Sequence, residues 1–159
     1  MPIEKTTSEK AIEEAIKKAI LENEKEVLKG LSLIGEECRN NARLNRGYKD
    51  QTGNLNSSIG WVVLKDGHPE YEGGLVSTPS GSEEGAKGQI IGAEMLDKWS
   101  SEFKEGYVLL LVAGMNYASF VQNGTSRMPG RNVLKSAELI VQGLMDELMQ
   151  NIMKNNSKK

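Results

Sequence analysis

The sequence is poor in the residue types that build most metal sites and active sites. Its 159 residues include one cysteine, Cys38, and one histidine, His68. A single thiol excludes an internal disulfide and thiolate-rich zinc sites, and a single histidine cannot form the paired-histidine motifs of other metal sites. We therefore expect no metal and no cofactor. Cys38 is expected to be a buried structural thiol and His68 an exposed hairpin residue.

Long apolar runs are also absent. No stretch approaches the roughly 18 apolar residues of a membrane helix, and the first residues lack the apolar segment of a signal peptide. Hydrophobic residues make up 38% and aromatic residues only 5% of the chain. This composition predicts a soluble protein of the reducing cytoplasm, a single domain over 1–159, and a mainly aliphatic core.

The familiar catalytic motifs are missing as well. Ser57 and Ser58 lack the glycines of a nucleophile elbow, and Gly81 to Gly88 lacks the Gly-Lys-Ser/Thr ending of a phosphate loop. We therefore predict a chain without catalytic activity. Because catalytic triads assemble in space, an enzyme stays open as an alternative class.

Helical periodicity dominates both ends of the chain. The apolar pattern predicts one helix over 8–45, preceded by a capping box at Thr6 and Glu9, with possible bends at Gly30 and Gly35. Its length of about 55 Å exceeds the roughly 35–40 Å diameter of a compact domain of this size. Such a helix overhangs its own domain, which favours oligomerisation. A second amphipathic helix is predicted over 131–153, with Asn155 to Lys159 frayed.

The region 52–125 predicts a small antiparallel sheet. Alternation from Leu55 to Val63 indicates a half-buried strand, and Asp66-Gly67 is a tight-turn pair before a returning strand near Tyr71 to Val76. The continuous apolar run over 107–113 indicates a strand buried on both faces.

Between the hairpin and this run, residues 77–89 are expected to form a mobile loop, followed by a short inserted helix from Ile91 to Phe103. The order helix, strands, helix, strand, helix predicts an α+β fold, with the C-terminal helix packed on the sheet.

Two segments resemble the tail-completion, or head–tail joining, proteins of long-tailed bacteriophages. The first, residues 50–59, is similar to the pattern D-x-T-G-x-L-x-x-S-I that leads into the first strand of that family. The second, residues 116–129, is similar to Y-A-x-x-V-E-x-G-T-x-x-M-P before the last helix. The matching positions, which we take as candidate structural and assembly residues, are Thr52, Gly53, Leu55, Ser58, Ile59, Tyr117, Ala118, Val121, Gly124, Thr125 and Pro129, with Leu134 and Ala137 in the following helix.

Elementary chemistry gives these positions local roles. Thr52 can close a side-chain turn and Gly53 can adopt a positive φ. Tyr117, Ala118 and Val121 have the spacing of a short helix, which Gly124 would end before Thr125 starts a turn. The chain departs from the family pattern at three places: Asn56 replaces a common basic residue, Gln122 replaces glutamate, and Asn132-Val133 replaces Pro-Phe.

The resemblance implies a virion protein of the phage neck, assembled in the host cytoplasm into a ring that is often hexameric. Its partners would be other copies of itself, the tail tube protein and a head-closure or connector protein, while DNA would pass through the lumen without any reaction. A tail terminator or another neck protein is an alternative. A small bacterial ligand-binding or regulatory module, with a pocket under residues 77–105, is an alternative from a different class.

Charge is distributed unevenly along the chain. Residues 51–125 contain four Lys/Arg and nine Asp/Glu, whereas residues 126–159 contain six and three. A ring built head to tail needs two different complementary faces, which these segments can supply. Since a basic lumen would hinder sliding DNA by pairing with phosphates, we expect the acidic region to lie near the lumen.

Overall fold

The periodic segments form five helices, one three-stranded sheet and one two-stranded ladder in the computed structural model, which describes residues 9–49, 52–75 and 83–158. The helices are α1 (Glu9–Leu44), α2 (Asn54–Ser57), α3 (Glu83–Ser100), α4 (Ala118–Asn123) and α5 (Lys135–Ser157). The strands are β1 (Ile59–Lys65), β2 (His68–Gly74), β3 (Tyr107–Ala113), β4 (Gly124–Thr125) and β5 (Met128–Pro129). The α+β prediction is confirmed.

Helix α1 is continuous through Gly30 and Gly35, as the apolar pattern predicted, and its predicted capping box lies outside the described residues. It runs antiparallel to α5, because Gly30 lies against Leu148 while Cys38 lies against the carbonyl of Ala137. Continuing this register, α5 ends beside about residue 22 of α1 at 1.5 Å per residue. The earlier turns of α1 extend beyond α5, and every residue from 13 to 21 is exposed.

The three-stranded sheet is antiparallel and has the order β2-β1-β3. The prediction of a half-buried first strand is wrong, because β1 is the central strand and residues 59–64 are buried on both faces. The prediction that 107–113 is buried on both faces is also wrong, since β3 is an edge strand with an exposed Tyr107 and mostly half-buried residues. Position in the sheet, rather than apolar composition, decided which strand was buried.

The sheet separates two helical layers. Alternate residues of β1, including Trp61 and Val63, pack against α1 and α5, whereas Val62 and Leu64 pack against Leu96 of α3. The C-terminal helix therefore packs on α1 and the sheet, as predicted. This arrangement buries β1 under helices on both sides and leaves β2 and β3 at the edges.

The Asp66-Gly67 turn is confirmed, with φ values of 50° and 82° at its two residues. Other boundaries were wrong. Leu55 and its neighbours form the helical turn α2 instead of a strand, because Gly53 bends the chain before β1 begins. Residues 76–82 of the predicted loop and strand end lie outside the described residues, but 83–89 belong to α3, which ends at Ser100.

The last helix begins at Lys135, four residues later than predicted, and continues through Ser157. Val133 lies just before it and is buried beside Leu55. Its apolar side chain matched the helical period by coincidence, because it packs from a loop. The residues expected to fray are helical as far as Ser157.

Candidate assembly surfaces

Residues 52–59 of the first motif form a compact turn that leads the chain into the sheet, while Asp50 and Gln51 lie outside the described residues. The hydroxyl of Thr52 accepts a hydrogen bond from the Asn54 amide at 3.3 Å, and Gly53 has φ of 76°. Both features match the local roles predicted for these residues. The turn places Leu55 in the core, where only 2% of the residue is exposed.

Ser58 joins this turn to the strand that precedes the second motif. Its hydroxyl donates to the Leu55 carbonyl at 2.7 Å and accepts from the Met115 amide at 3.4 Å. Its carbonyl accepts from the Gly114 amide at 3.2 Å. A fully buried hydroxyl with these partners is a structural residue, since its hydrogen bonds replace those it loses to water.

The second motif forms α4 and the small β4–β5 hairpin. Ala118 is the buried residue of α4, and Gly124 ends the helix with φ of 80°. Gly124 pairs with Pro129 in the hairpin, and the Thr125 hydroxyl accepts from the Arg127 amide at 3.2 Å. Thr125 thus begins a turn, as predicted, although it and Pro129 remain exposed.

Most of the apolar motif positions meet in space although they are about sixty residues apart in sequence. One cluster contains Leu55 from the first motif and Ala118 and Val121 from the second, together with Leu134. Ile59 and Ala137 lie in a neighbouring cluster with α1, which Leu134 also contacts. Tyr117 is exposed at the edge of this junction.

Gln122 connects α4 to the start of α5. Its side-chain oxygen accepts a hydrogen bond from the Leu134 amide at 2.8 Å, at the N-terminus of α5. Asn132 caps the same end, because its side-chain oxygen accepts from the Ser136 amide at 2.9 Å. A helix N-terminus attracts negative charge, so a glutamate in place of Gln122 would perform the same task.

Asn132 also ties α5 to the end of α1. Its side chain donates to the Asn45 carbonyl at 2.8 Å, and its carbonyl accepts from the Gly47 amide at 3.1 Å. Arg131 donates to the Gly47 carbonyl at 3.1 Å. These bonds hold the C-terminal end of α1 beside the N-terminal end of α5. In the sequence, Asn132 stood out only as a departure from the family pattern.

Sequence reasoning missed the role of two glycines in α3. A side chain at Gly88 would collide with the backbone of Asn54. The Gly88 amide also donates a hydrogen bond to the Asn54 side chain at 3.1 Å. At Gly92, a side chain would collide with Leu75 and the Ser58 carbonyl. The spacing of four residues was the available signal, because it puts both glycines on one face of a helix.

Several apolar side chains are exposed on the outer surfaces. On α4 and the adjacent hairpin they are Tyr117, Phe120 and Met128, and on the overhanging part of α1 they are Ile16, Ile20 and Leu21. On α5, Met149 and Met153 are exposed, whereas Met145 packs against the core. We treat these exposed side chains as candidates for contact with a partner.

The groups that could support chemistry are dispersed. Among the described residues, no three histidine, cysteine, aspartate or glutamate side chains cluster as metal ligands. Burial and the nearby Glu37 raise the pKa of the Cys38 thiol, so its reactive thiolate form is disfavoured. His68 is exposed at the start of β2, as predicted. Within the described ranges, no helix is long and apolar enough to cross a membrane.

No protein family, curated protein or solved structure matches this chain.

Proposed function

We propose that this chain is a structural subunit of the bacteriophage neck, which completes the tail or joins it to the head. It assembles into a ring, by analogy hexameric, between the tail tube protein and a head-closure protein, and DNA passes through the lumen. On this proposal it acts in the virion without catalysis, after assembly in the host cytoplasm. A tail terminator is an alternative within the same region of the virion.

The observation that carries the proposal is the convergence of the two family-like motifs. Leu55, Ala118 and Val121 pack in one cluster, and Ser58 bonds the first motif to the backbone just before the second. Segments that match a family pattern and also form one structural unit are better evidence than either segment alone.

The overhanging part of α1, up to about residue 21, supports self-association. Ile16 and Ile20 are each 54% exposed, and both lie on the apolar stripe that is buried further along the same helix. A single copy leaves this part of the stripe in water, whereas a neighbouring subunit would cover it.

Electron microscopy of the purified chain, alone and mixed with phage tail tubes, tests the proposal. We expect rings with a central channel, and rings seated on tube ends. Ile20→Asn should reduce ring formation because it places an amide in the apolar stripe, whereas Lys17→Asn serves as a control on the same exposed segment. A chain that stays monomeric under both conditions contradicts the proposal.

One observation favours a second candidate, the ligand-binding module. An open groove of about 310 Å³ lies under α3, with Met95 and Trp99 on one wall and Gln122 of α4 on another. A pocket under this segment is what that alternative requires. Stabilisation of a persistent monomer by a small-molecule ligand, measured by thermal unfolding, would favour it over the ring.

A further inference from the structure

Positive charge is concentrated in the last turns of α1, where acidic neighbours are few. Arg39 has a side chain only 8% exposed, and its Nη1 lies 2.8 Å from Oε1 of Glu36. Glu36 also accepts a hydrogen bond from the Trp61 indole at 2.8 Å. The buried Nε of Arg39 has no hydrogen-bond partner among the described residues. The Glu36 carboxylate is therefore shared between Arg39 and Trp61.

Arg43 lies one turn further along α1 and shares this environment. Its Nε donates to the Asn56 side chain at 3.2 Å. Burial and the charges of Arg39 and Arg46 lower its pKa, although Tyr48 and Glu36 act in the opposite direction. Arg43 is therefore repelled by both neighbouring arginines, so a bound anion would relieve an unfavourable interaction.

Two of these arginines, Arg43 and Arg46, line an open pocket of about 530 Å³. We call it the cationic pocket, and its lining residues are Asn40, Arg43, Leu44, Arg46 and Asn56. Among the described residues, the lining contains two guanidinium groups, two side-chain amides and no carboxylate. Guanidinium groups bind carboxylate and phosphate oxygens in a bidentate manner, so the pocket suits an oxyanion.

The same chain carries a surface that can supply such oxyanions. Glu70 and Glu72 are exposed on β2, and a groove of about 360 Å³ runs between Glu72 and residues Ala93 and Leu96 of α3. Asp97 is exposed one turn beyond Ala93. We call these carboxylates the acidic surface, defined by Glu70, Glu72 and Asp97.

The two surfaces lie in different layers of the fold. Glu72 pairs with Val62 of β1, whose side chain faces α3, whereas Arg43 of the cationic pocket belongs to α1 on the other side of the sheet. Two different complementary faces on one molecule produce head-to-tail association, which closes into a ring when the rotation allows.

We propose that the cationic pocket of one copy binds the carboxylates of the acidic surface of a second copy. This interface rests on the ring of the proposed function and identifies the residues that build it. It also revises the expectation drawn from the sequence, because the basic face is centred on Arg43 and Arg46 rather than on residues 126–159. Carboxylates at this interface are then unavailable to line the lumen.

The test uses two charge reversals in the full chain, each on one side of the interface. Arg46→Glu changes the cationic pocket, and Glu72→Arg changes the acidic surface; both residues are exposed, so the fold should tolerate them. Arg127→Glu is the matched control, because Arg127 is an exposed arginine in the β4–β5 turn. Self-association is measured by sedimentation velocity at low and high salt.

We expect the wild-type chain and Arg127→Glu to form species larger than dimers at low salt and to dissociate as salt rises. Each reversal alone should weaken association roughly tenfold or more, since charge pairs at interfaces are worth at least this factor. Mixing the two variants should restore binding, because the intact acidic surface of Arg46→Glu meets the intact cationic pocket of Glu72→Arg.

The proposal is overturned if the mixture does not associate, or if Arg46→Glu behaves like Arg127→Glu. If Arg46→Glu loses binding to a short DNA duplex but keeps its self-association, the pocket binds phosphates and the proposal fails. Rings that persist with Arg46→Glu overturn this interface alone and leave the proposed function standing. A wild-type chain that never associates overturns both.

Discussion

Replacing Gly35 with alanine should destabilise the protein, although alanine is the better helix former. Gly35 lies in the middle of α1, where the intrinsic preference for alanine over glycine is about 1 kcal/mol. A β-carbon at this position would lie 2.7 Å from Cδ2 of Trp61 and 3.0 Å from Cδ1 of Leu109. The steric cost therefore opposes the helical gain.

Trp61 has little freedom to move away. Its indole nitrogen is bound to Glu36, and a β-carbon built on Gly73 would lie 2.6 Å from its ring, so the ring is enclosed by backbone on that side too. Overpacking of this kind costs about 1–3 kcal/mol. Losing a hydrogen bond to a charged group costs about 1.5–3 kcal/mol. Adding these two costs and subtracting the helical gain of about 1 kcal/mol, we expect a net loss of about 1.5–5 kcal/mol.

The matched control is Gly143→Ala in α5, because a β-carbon there has no atom within 4 Å. It should stabilise the chain by about 0.5–1 kcal/mol through helix propensity alone. Urea denaturation followed by circular dichroism measures both changes, and thermal unfolding should show opposite shifts of about 2–4 °C per kcal/mol. The packing argument is refuted if Gly35→Ala is stabilised to the same extent as Gly143→Ala.

Two further predictions concern α5 and the buried thiol. Gln122→Ala should lower the free energy of unfolding by about 1 kcal/mol, because it removes the hydrogen bond to the Leu134 amide. Gln122→Glu should have a free energy of unfolding equal to or above that of the wild type, because a carboxylate at a helix N-terminus is favourable. Equal urea midpoints for all three chains would contradict this. Cys38 should resist alkylation in the native state, as its pKa lies above the ordinary 9.0. Burial of the protonated Cys38 thiol should stabilise the fold fully below the pKa of the unfolded thiol, and this stabilisation should be lost as pH rises through the higher pKa of the folded thiol. Rapid labelling of the native thiol would argue against this buried environment.

Local patterns in the sequence determined much of the fold. Helical periodicity identified α1 almost to the residue, since a long run of apolar positions at one period leaves little room for another structure. The Asp66-Gly67 turn was predictable because few residue pairs tolerate two positive φ values. The turn-forming roles of Thr52, Gly53 and Gly124 were likewise local and visible.

Other features depend on contacts between distant segments. Leu55 alternates with Ile59 and Trp61 in sequence, yet it lies in a helical turn whose hydrogen bonds and packing override the pattern. Gly88 was assigned to a loop because glycine disfavours helices, but its close approach to Asn54 makes glycine necessary in α3. The sequence alone does not reveal such an approach.

The sequence by itself determined the helix-rich α+β class, the excess of apolar helical surface and the positions of the two motifs. Only the tertiary structure decided that the motifs meet around Leu55 and Ala118, that β1 rather than β3 is the central strand, and that Arg43 and Arg46 line one pocket. Periodicity and turn chemistry act between neighbours in the chain, whereas burial and electrostatic environment depend on which segments fold against each other.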